Sequence, residues 1–439
     1  MPMMLEMALA PERLGEGSPE ERAAFGLFTI RSAHGFLTEG FDSFINGYRS
    51  GPLVSGYHVA EWLAWNWWRL RWEPRSVAPD WDWDNAHRMT AIGEGYVWPN
   101  VTIFSDGLRT ALLSAPSSRS EAKPFRYVGA LPTVIPSTAF EAAIDEFILQ
   151  ILGRIEAEGV KDSNLSRLWD DLAAERNDPG IAKRRKLEAY LGRDPDAVED
   201  DAVEQLVADA VGMGDAAVEE IAADSRAEKI FTGADIRELA RSCGHHGSPR
   251  DAVKLDSAHE VSRGADTPAW LMGARLAQEL RAQEKLGVTA ISDRRLAELA
   301  GTKVATINAK DDVRSPKLSF VLDEGATESR IVLWSNRQTG RRFNLARLIG
   351  DRLIDASGAL HPATRASTYR QKAQRAFAAE LLSPFDAVDA FLAGDYSAEK
   401  QDDAAGVFDV SEMTINSLLK NNGRIPRDDR DFEFENAAV

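Results

Sequence analysis

The sequence predicts an α+β protein: a tryptophan-rich α+β domain first, a helical acidic middle, then a mostly helical domain with a small sheet. Three observations carry this. Short β-branched and aromatic runs between turn signals crowd the first 135 residues. From Ser137 apolar residues recur every three or four positions, the period of a helix. Later, LSFVLDEG and SRIVLWSN read as two strands around an acidic turn, and amphipathic helices follow them.

The totals bound the answer. A chain of 439 residues with 44% hydrophobic composition suggests two or three domains with real cores. No apolar run is long enough for a transmembrane helix, and the N-terminal stretch lacks the basic flank and apolar segment of a signal peptide. A single cysteine, Cys243, leaves no internal disulfide and suits a reducing cytoplasm. Lys plus Arg 52 against Asp plus Glu 69 gives −17, which argues against broad nucleic-acid binding and leaves room only for a local basic face.

Taken in order, residues 1–24 are polar and read as a flexible lead. FGLFTIRS, HGFLTE and GPLVSGYHV then read as strands. EWLAWNWWRLRWEP reads as a helix stopped by Pro74, with Trp65, Trp68 and Trp72 on one face and Trp62 just above. Such a cluster is either a packed core, which the amphipathic spacing favours, or a ligand or peptide groove. VTIF and RTALLS flank Asp106-Gly107, a hairpin signal, and FRYVGAL is a further strand. Gly93-Glu94-Gly95 lacks the ending and context of a phosphate loop. His58 and His87 stand alone and read as structural or surface histidines. Residues 25–135 form one α+β unit on this reading.

Residues 136–241 read as an acidic helical region. Phe140, Ile144, Phe147, Ile148, Ile151 and Ile155 fall at helical spacing, and Gly159 closes that helix. LSRLWDDLAAERNDP and IAKRRKLEAYLG are the next two. The acidic stretch after Asp194 keeps a stripe of Val203, Leu206, Val207, Ala210 and Val211, so it reads as a helical pair with a solvated acidic face. Residues 242–266, rich in Gly, Ser, Pro and charge, read as a linker. It holds Cys243, His245, His246 and His259, without the two spaced pairs of a structural zinc site.

Thr267-Pro268 opens the last folded region, 267–426, ahead of an acidic tail at 427–439. Met272, Leu276 and Leu280 are in register on its first helix. DRRLAELAGTKVATI then reads either as a helical hairpin of the fold or as a DNA-binding helix-turn-helix over 293–308, contacting DNA through Lys303 and Thr306. Two helices follow the strands. Leu345, Leu348, Ile349 and Leu353 stripe the first, where Arg347 and Asp351 are one turn apart. Ala373, Phe377 and Leu381 stripe the second, stopped by Pro384.

Residues 268–426 resemble the ImmA/IrrE family of zinc metallopeptidases. Arg342, Phe343, Leu345, Ala346, Gly350 and Leu353 match that family's first motif helix; Phe377 through Leu382 and Pro384 match its second. The resemblance implies a zincin-like fold and a cytoplasmic bacterial protein that acts on or binds a transcriptional repressor in a stress or mobile-element response. The chemistry departs from the pattern. The H-E-x-x-H positions hold Arg347, Leu348, Ile349, Gly350 and Asp351, and the third-ligand position holds Ala373. An arginine cannot ligate a cation, and a leucine cannot take a proton from water. The expectation is therefore a pseudo-peptidase with no cofactor, in which an Arg347–Asp351 ion pair fills the metal's place. Its binding candidates are Arg347, Asp351, Arg375 and Glu380, with Trp65, Trp68 and Trp72 in the other half. The alternatives are an active peptidase with an unconventional site from Asp351, Asp355, His361 and Glu380, with zinc only in that case, and a DNA-binding regulator. Carboxylates alone suit harder cations than zinc.

Overall fold

The stretch expected to be a flexible lead is ordered from Leu5. In the computed structural model, which describes residues 5–76, 79–118, 124–197, 200–225, 230–256, 264–309 and 318–426, β1 (Leu5–Pro11) pairs antiparallel with residues 26–32 of β2 (Phe25–Ser32). Between them α1 (Pro19–Ala23) is closed by a Ser18/Glu21 capping box. Alternate residues of β1 bury Met7 and Leu9, which is why polar flanks did not leave it unstructured. The class is α+β, as expected, and among the described residues no helix is long and apolar enough to cross a membrane.

The chain divides into two compact units, Met1–Glu199 and Asp200–Val439. In the first, β3 (Gly35–Phe36) and β6 (Leu53–Ser55) also pair with β2. β4 (Gly40–Asp42) and β5 (Gly47–Arg49) form a second sheet with β9 (Phe125–Tyr127). β7 (Val101–Ser105) and β8 (Arg109–Ser114) make the hairpin expected around Asp106-Gly107, and β10 (Pro132–Pro136) extends it.

The tryptophan stretch is not one helix but two, α2 (Gly56–Trp65) and α3 (Trp67–Trp72). Asn66, at φ −94° and ψ 9°, breaks the ladder, and its amide donates to the Trp62 carbonyl. The break rotates the faces. Trp62, Trp67 and Trp68 are buried, whereas Trp65 is 60% exposed, so Trp65 does not share the face of Trp68 and Trp72. A short helix not anticipated from the sequence, α4 (Trp81–His87), follows, capped by Asp80. α5 (Ser137–Ala157) buries all six apolar residues expected of it, with Phe147 against Phe28 at 5.3 Å between centroids. α6 (Asn164–Asn177) and α7 (Pro179–Tyr190) complete this unit, each with a side-chain N-cap.

The second unit begins inside the region read as one acidic block, so the helices of 136–241 divide between the units. α8 (Asp200–Met213), α9 (Asp215–Asp224) and α10 (Gly233–Cys243) belong with the C-terminal elements. The linker reading of 242–266 is corrected in part: β11 (His245–Gly247) pairs with β13 (Ser329–Val332) as the edge of a sheet. His259 and the acidic tail lie outside the described residues.

The remaining elements are α11 (Ala269–Gln283), α12 (Asp293–Leu299), α13 (Ala305–Asn308), β12 (Ser319–Asp323), β13 (Ser329–Val332), α14 (Gln338–Ile354), β14 (Leu360–Ala363), α15 (Tyr369–Leu382), α16 (Phe385–Leu392), α17 (Ala398–Phe408) and α18 (Glu412–Asn421). The sheet runs β11-β13-β12-β14, all antiparallel. Helices α11, α14 and α15 pack closely because small residues stand at the crossings. A methyl group on Gly273 would lie 2.1 Å from the Ala373 carbonyl oxygen, and one on Gly350 would lie 2.6 Å from the Phe377 ring. Leu345, Leu348, Phe377 and Leu381 fill the space between, each side chain worth about 1.5–3 kcal/mol when fully buried.

Two buried arginines tie α12 and α13 to this core. Arg341 donates to the carbonyls of Thr306 at 2.6 Å and Leu333 at 3.1 Å; Arg342 pairs with Asp293 and donates to the Ile291 carbonyl at 2.7 Å. The stretch read either as a helical hairpin of the fold or as a helix-turn-helix is this α12–α13 pair; α13 has four residues, and Thr306 is buried with its hydroxyl against that of Thr302. Lys303 is exposed.

Candidate functional site

The elements α14, β14 and α15 enclose a buried polar centre, and α9 closes one side of it. Arg347 and Asp351 occupy successive turns of one face of α14, as their spacing requires. They do not bond each other as expected. Arg347 donates through Nη2 to the Thr364 carbonyl and the Gln371 Oε1, both at 2.6 Å. Asp351 instead receives Arg370, with Nε to Oδ1 and Nη2 to Oδ2 both at 2.6 Å, a two-pronged pairing. Arg347 takes the Thr364 carbonyl of the β14–α15 connection and the Gln371 side chain of α15, while Arg370, in the first turn of α15, reaches the carboxylate with its planar end.

The centre extends outward from Asp351. Gln374 donates to its Oδ1 and to the Pro362 carbonyl, and Gln371 to the same carbonyl at 3.1 Å. His361 places Nδ1 3.3 Å from Asp351 Oδ2 and Nε2 3.7 Å from Asp323, which in turn pairs with Arg352. Asp355 takes Arg370 Nη1 at 3.1 Å. From α9, Glu220 accepts the Thr368 hydroxyl at 2.7 Å and Asp224 accepts the Arg365 amide at 2.9 Å.

Burial sets the electrostatics. It would raise Asp351, but the Arg370 charge and hydrogen bonds, aided by His361, outweigh it and hold the carboxyl below its usual range. Glu220 is pushed up to about 7, because burial outweighs the Arg370 charge and the Thr368 hydrogen bond. Burial would lower His361, yet its contacts with Asp323 and Asp351 raise it. Arg347 is pushed down to about 9 by burial and by the like charge of Arg375, and so stays protonated at neutral pH.

Of the residues expected to form an unconventional metal site, Asp351 and His361 are brought together, and Asp355 joins them only through Arg370. Glu380 is not bonded to them; it accepts Gln278 at 3.0 Å and the Phe385 amide at 3.2 Å. Nor does the donor set fit zinc. Arg370 covers both oxygens of Asp351, and the Arg347 guanidinium stands one helical turn away where a neutral imidazole would be needed. Arg375 donates to the Ala366 carbonyl at 3.1 Å, and its charge acts on Arg347. Ala373 lies under Gly273 of α11, so α15 faces Asp351 with Arg370 and Gln374. In the histidine-rich stretch, the Cys243 thiol donates to the Leu239 carbonyl, and His246 Nε2 sits 3.0 Å from an Arg330 nitrogen.

Sequence reasoning missed Arg370, Gln371, Gln374 and the α9 carboxylates. The one available signal was Arg370 and Gln374 four apart on the helix of Phe377. In the first unit, Trp68 and Trp72 go to packing rather than to a groove. Trp68 donates to Glu175 at 2.8 Å, and Trp72 lies under Arg71 and Lys186 at 3.7 and 4.2 Å from its centroid. No family model, curated protein or solved structure matches this chain.

Proposed function

We propose that the C-terminal unit is a degenerate ImmA/IrrE-like domain, a pseudo-peptidase that serves a regulatory or stress-related role by binding a protein partner, with a transcriptional repressor the partner that the resemblance implies. The observation that carries the reading is the two-pronged Arg370–Asp351 pair at the position where the family has a metal-ligand histidine. A carboxylate whose two oxygens are both held by a guanidinium is neither a general base nor a metal ligand. Leu348, at the glutamate position of the family motif, is buried and has no proton-accepting group. A helix pair this tightly packed, with its centre filled by internal pairs, is suited to holding a rigid surface.

Incubation of the untagged chain with an unstructured protein substrate, with and without added zinc, tests the reading. The expected result is no cleavage above the buffer control. Zinc-dependent cleavage that disappears in Asp351→Ala would overturn it.

A further inference from the structure

Of eight tryptophans before residue 100, Trp65 is one of two that present most of their surface to solvent, and it does so beside a cavity. The cavity, about 310 Å³, lies in the first unit along one face of α2, where His58, Glu61, Trp62 and Trp65 follow at helical spacing. Asn164 at the start of α6 and Glu94, in the loop after α4, close its rim. Its walls combine aromatic faces with carboxylates, and no Lys or Arg lines it among the described residues. Burial would lower the pKa of its one basic side chain, His58, yet Glu61 and Glu21 raise it.

The polar groups are fixed. Glu61 is held through Oε1 by the Asn164 amide at 2.7 Å and the Tyr57 hydroxyl at 3.4 Å, while its Oε2 has His58 only at 3.8 Å. His58 also lies 3.3 Å from Glu21, on the far side from Glu61. Trp62 is anchored by its Nε1 to the Asn85 carbonyl at 3.1 Å, so its ring cannot swing into the space. Glu94 is exposed, at φ +56°, and among the described residues makes no salt bridge, though its charge acts on His58.

We propose that this cavity binds an organic ammonium group, seated against the Trp65 ring with Glu61 and Glu94 as counter-charges. An indole face attracts a cation through its quadrupole, and the attraction rises as the cation loses water against apolar walls. An apolar ligand would take water from Glu94 and from the Oε2 side of Glu61 without supplying a charge in return, and an anion would be repelled by both. A small metal ion gains nothing from the indoles. The volume suits a compact head group, at the lower end of small-molecule sites.

The group can arrive as a free small amine or as a side chain of a protein, and the test separates the two. Calorimetric titration of the full chain would use choline, its uncharged carbon isostere 3,3-dimethylbutan-1-ol, and a short peptide with a central trimethyllysine. The expected result is saturable choline binding, with the isostere about tenfold weaker or worse. Trp65→Ala and Glu61→Gln should each weaken choline about tenfold, while Trp81→Ala, at the other exposed tryptophan, leaves it unchanged. A peptide at least tenfold tighter than choline assigns the site to a protein side chain; equal or weaker peptide binding assigns it to a free cation. Both support the site. Equal binding of choline and its isostere, unchanged binding in folded Trp65→Ala, or no heat from choline or the peptide at about 20 mM would overturn it.

Discussion

Removing either partner of the Asp351–Arg370 pair strands a charge in the core, and the two losses must be coupled. Asp351 is fully buried, so Arg370→Met leaves its carboxylate with Gln374 and His361 alone. Breaking one side of a buried pair costs about 3–5 kcal/mol. Asp351→Ala should fall near the lower end of that range, because Arg370 keeps Asp355 at 3.1 Å. The double variant removes both charges and should be milder than the sum of the singles by about 2 kcal/mol. For a unit of this size each kcal/mol moves the melting temperature by about 2–4 °C, so Asp351→Ala alone lowers it by roughly 6–12 °C. Scanning calorimetry is the assay, since the tryptophans crowd the first unit and fluorescence would report on the wrong one. The same cycle with Arg347→Met is the control. Arg347 makes no direct hydrogen bond to Asp351; it shares Gln374 with it and acts on it through charge, so its coupling should be clearly smaller. A stronger coupling of Asp351 to Arg347 than to Arg370 would refute the assignment and restore the simple one-turn ion pair.

Other consequences follow from the same geometry. Glu220 has a folded-state value near 7 against a usual 4.5, so the fold holds its proton more tightly than the unfolded chain. Its contribution is full below about 4.5 and is lost as pH rises through 7. Glu220→Gln, which still accepts the Thr368 hydroxyl, should remove about 3 kcal/mol of that loss; identical pH–stability curves for variant and wild type between pH 5 and 8 would count against it. His361, also raised, adds a loss of the same sign above its ordinary 6.5, so His361→Gln should flatten the alkaline limb of the same curve. Gly273→Val would place its Cβ against the Ala373 carbonyl and should cost about 3 kcal/mol or more in a denaturant titration, whereas the same change at the open, helical Gly153 should be neutral or stabilise by a few tenths of a kcal/mol.

Elements with a strong period were legible. The six apolar residues of α5, the Asp106-Gly107 hairpin, and the α14 and α15 stripes follow directly from spacing. Short strands such as β1, β10 and β14 were not, because four to seven residues gain their order from a partner strand distant in sequence. The tryptophan face failed at one residue: Asn66 bonds back to Trp62 and resets the register, and periodicity assumes an unbroken helix. At the polar centre, Arg347 and Asp351 were found as a pair of positions, but not their partners. Which guanidinium reaches a carboxylate depends on the crossing of α14 and α15, set in part by Gly350 against Phe377. The α9 carboxylates came from a segment that composition marked only as an acidic surface.

The measurement that bears most directly on the central claim is native mass spectrometry of the untagged full chain with a small excess of zinc, beside Asp351→Ala. The account predicts that neither protein retains zinc in stoichiometric amount, because Arg370 and Arg347 hold the centre. One zinc per wild-type chain, absent from a folded Asp351→Ala, would contradict it and place a working metal site among Asp351, Asp355 and His361.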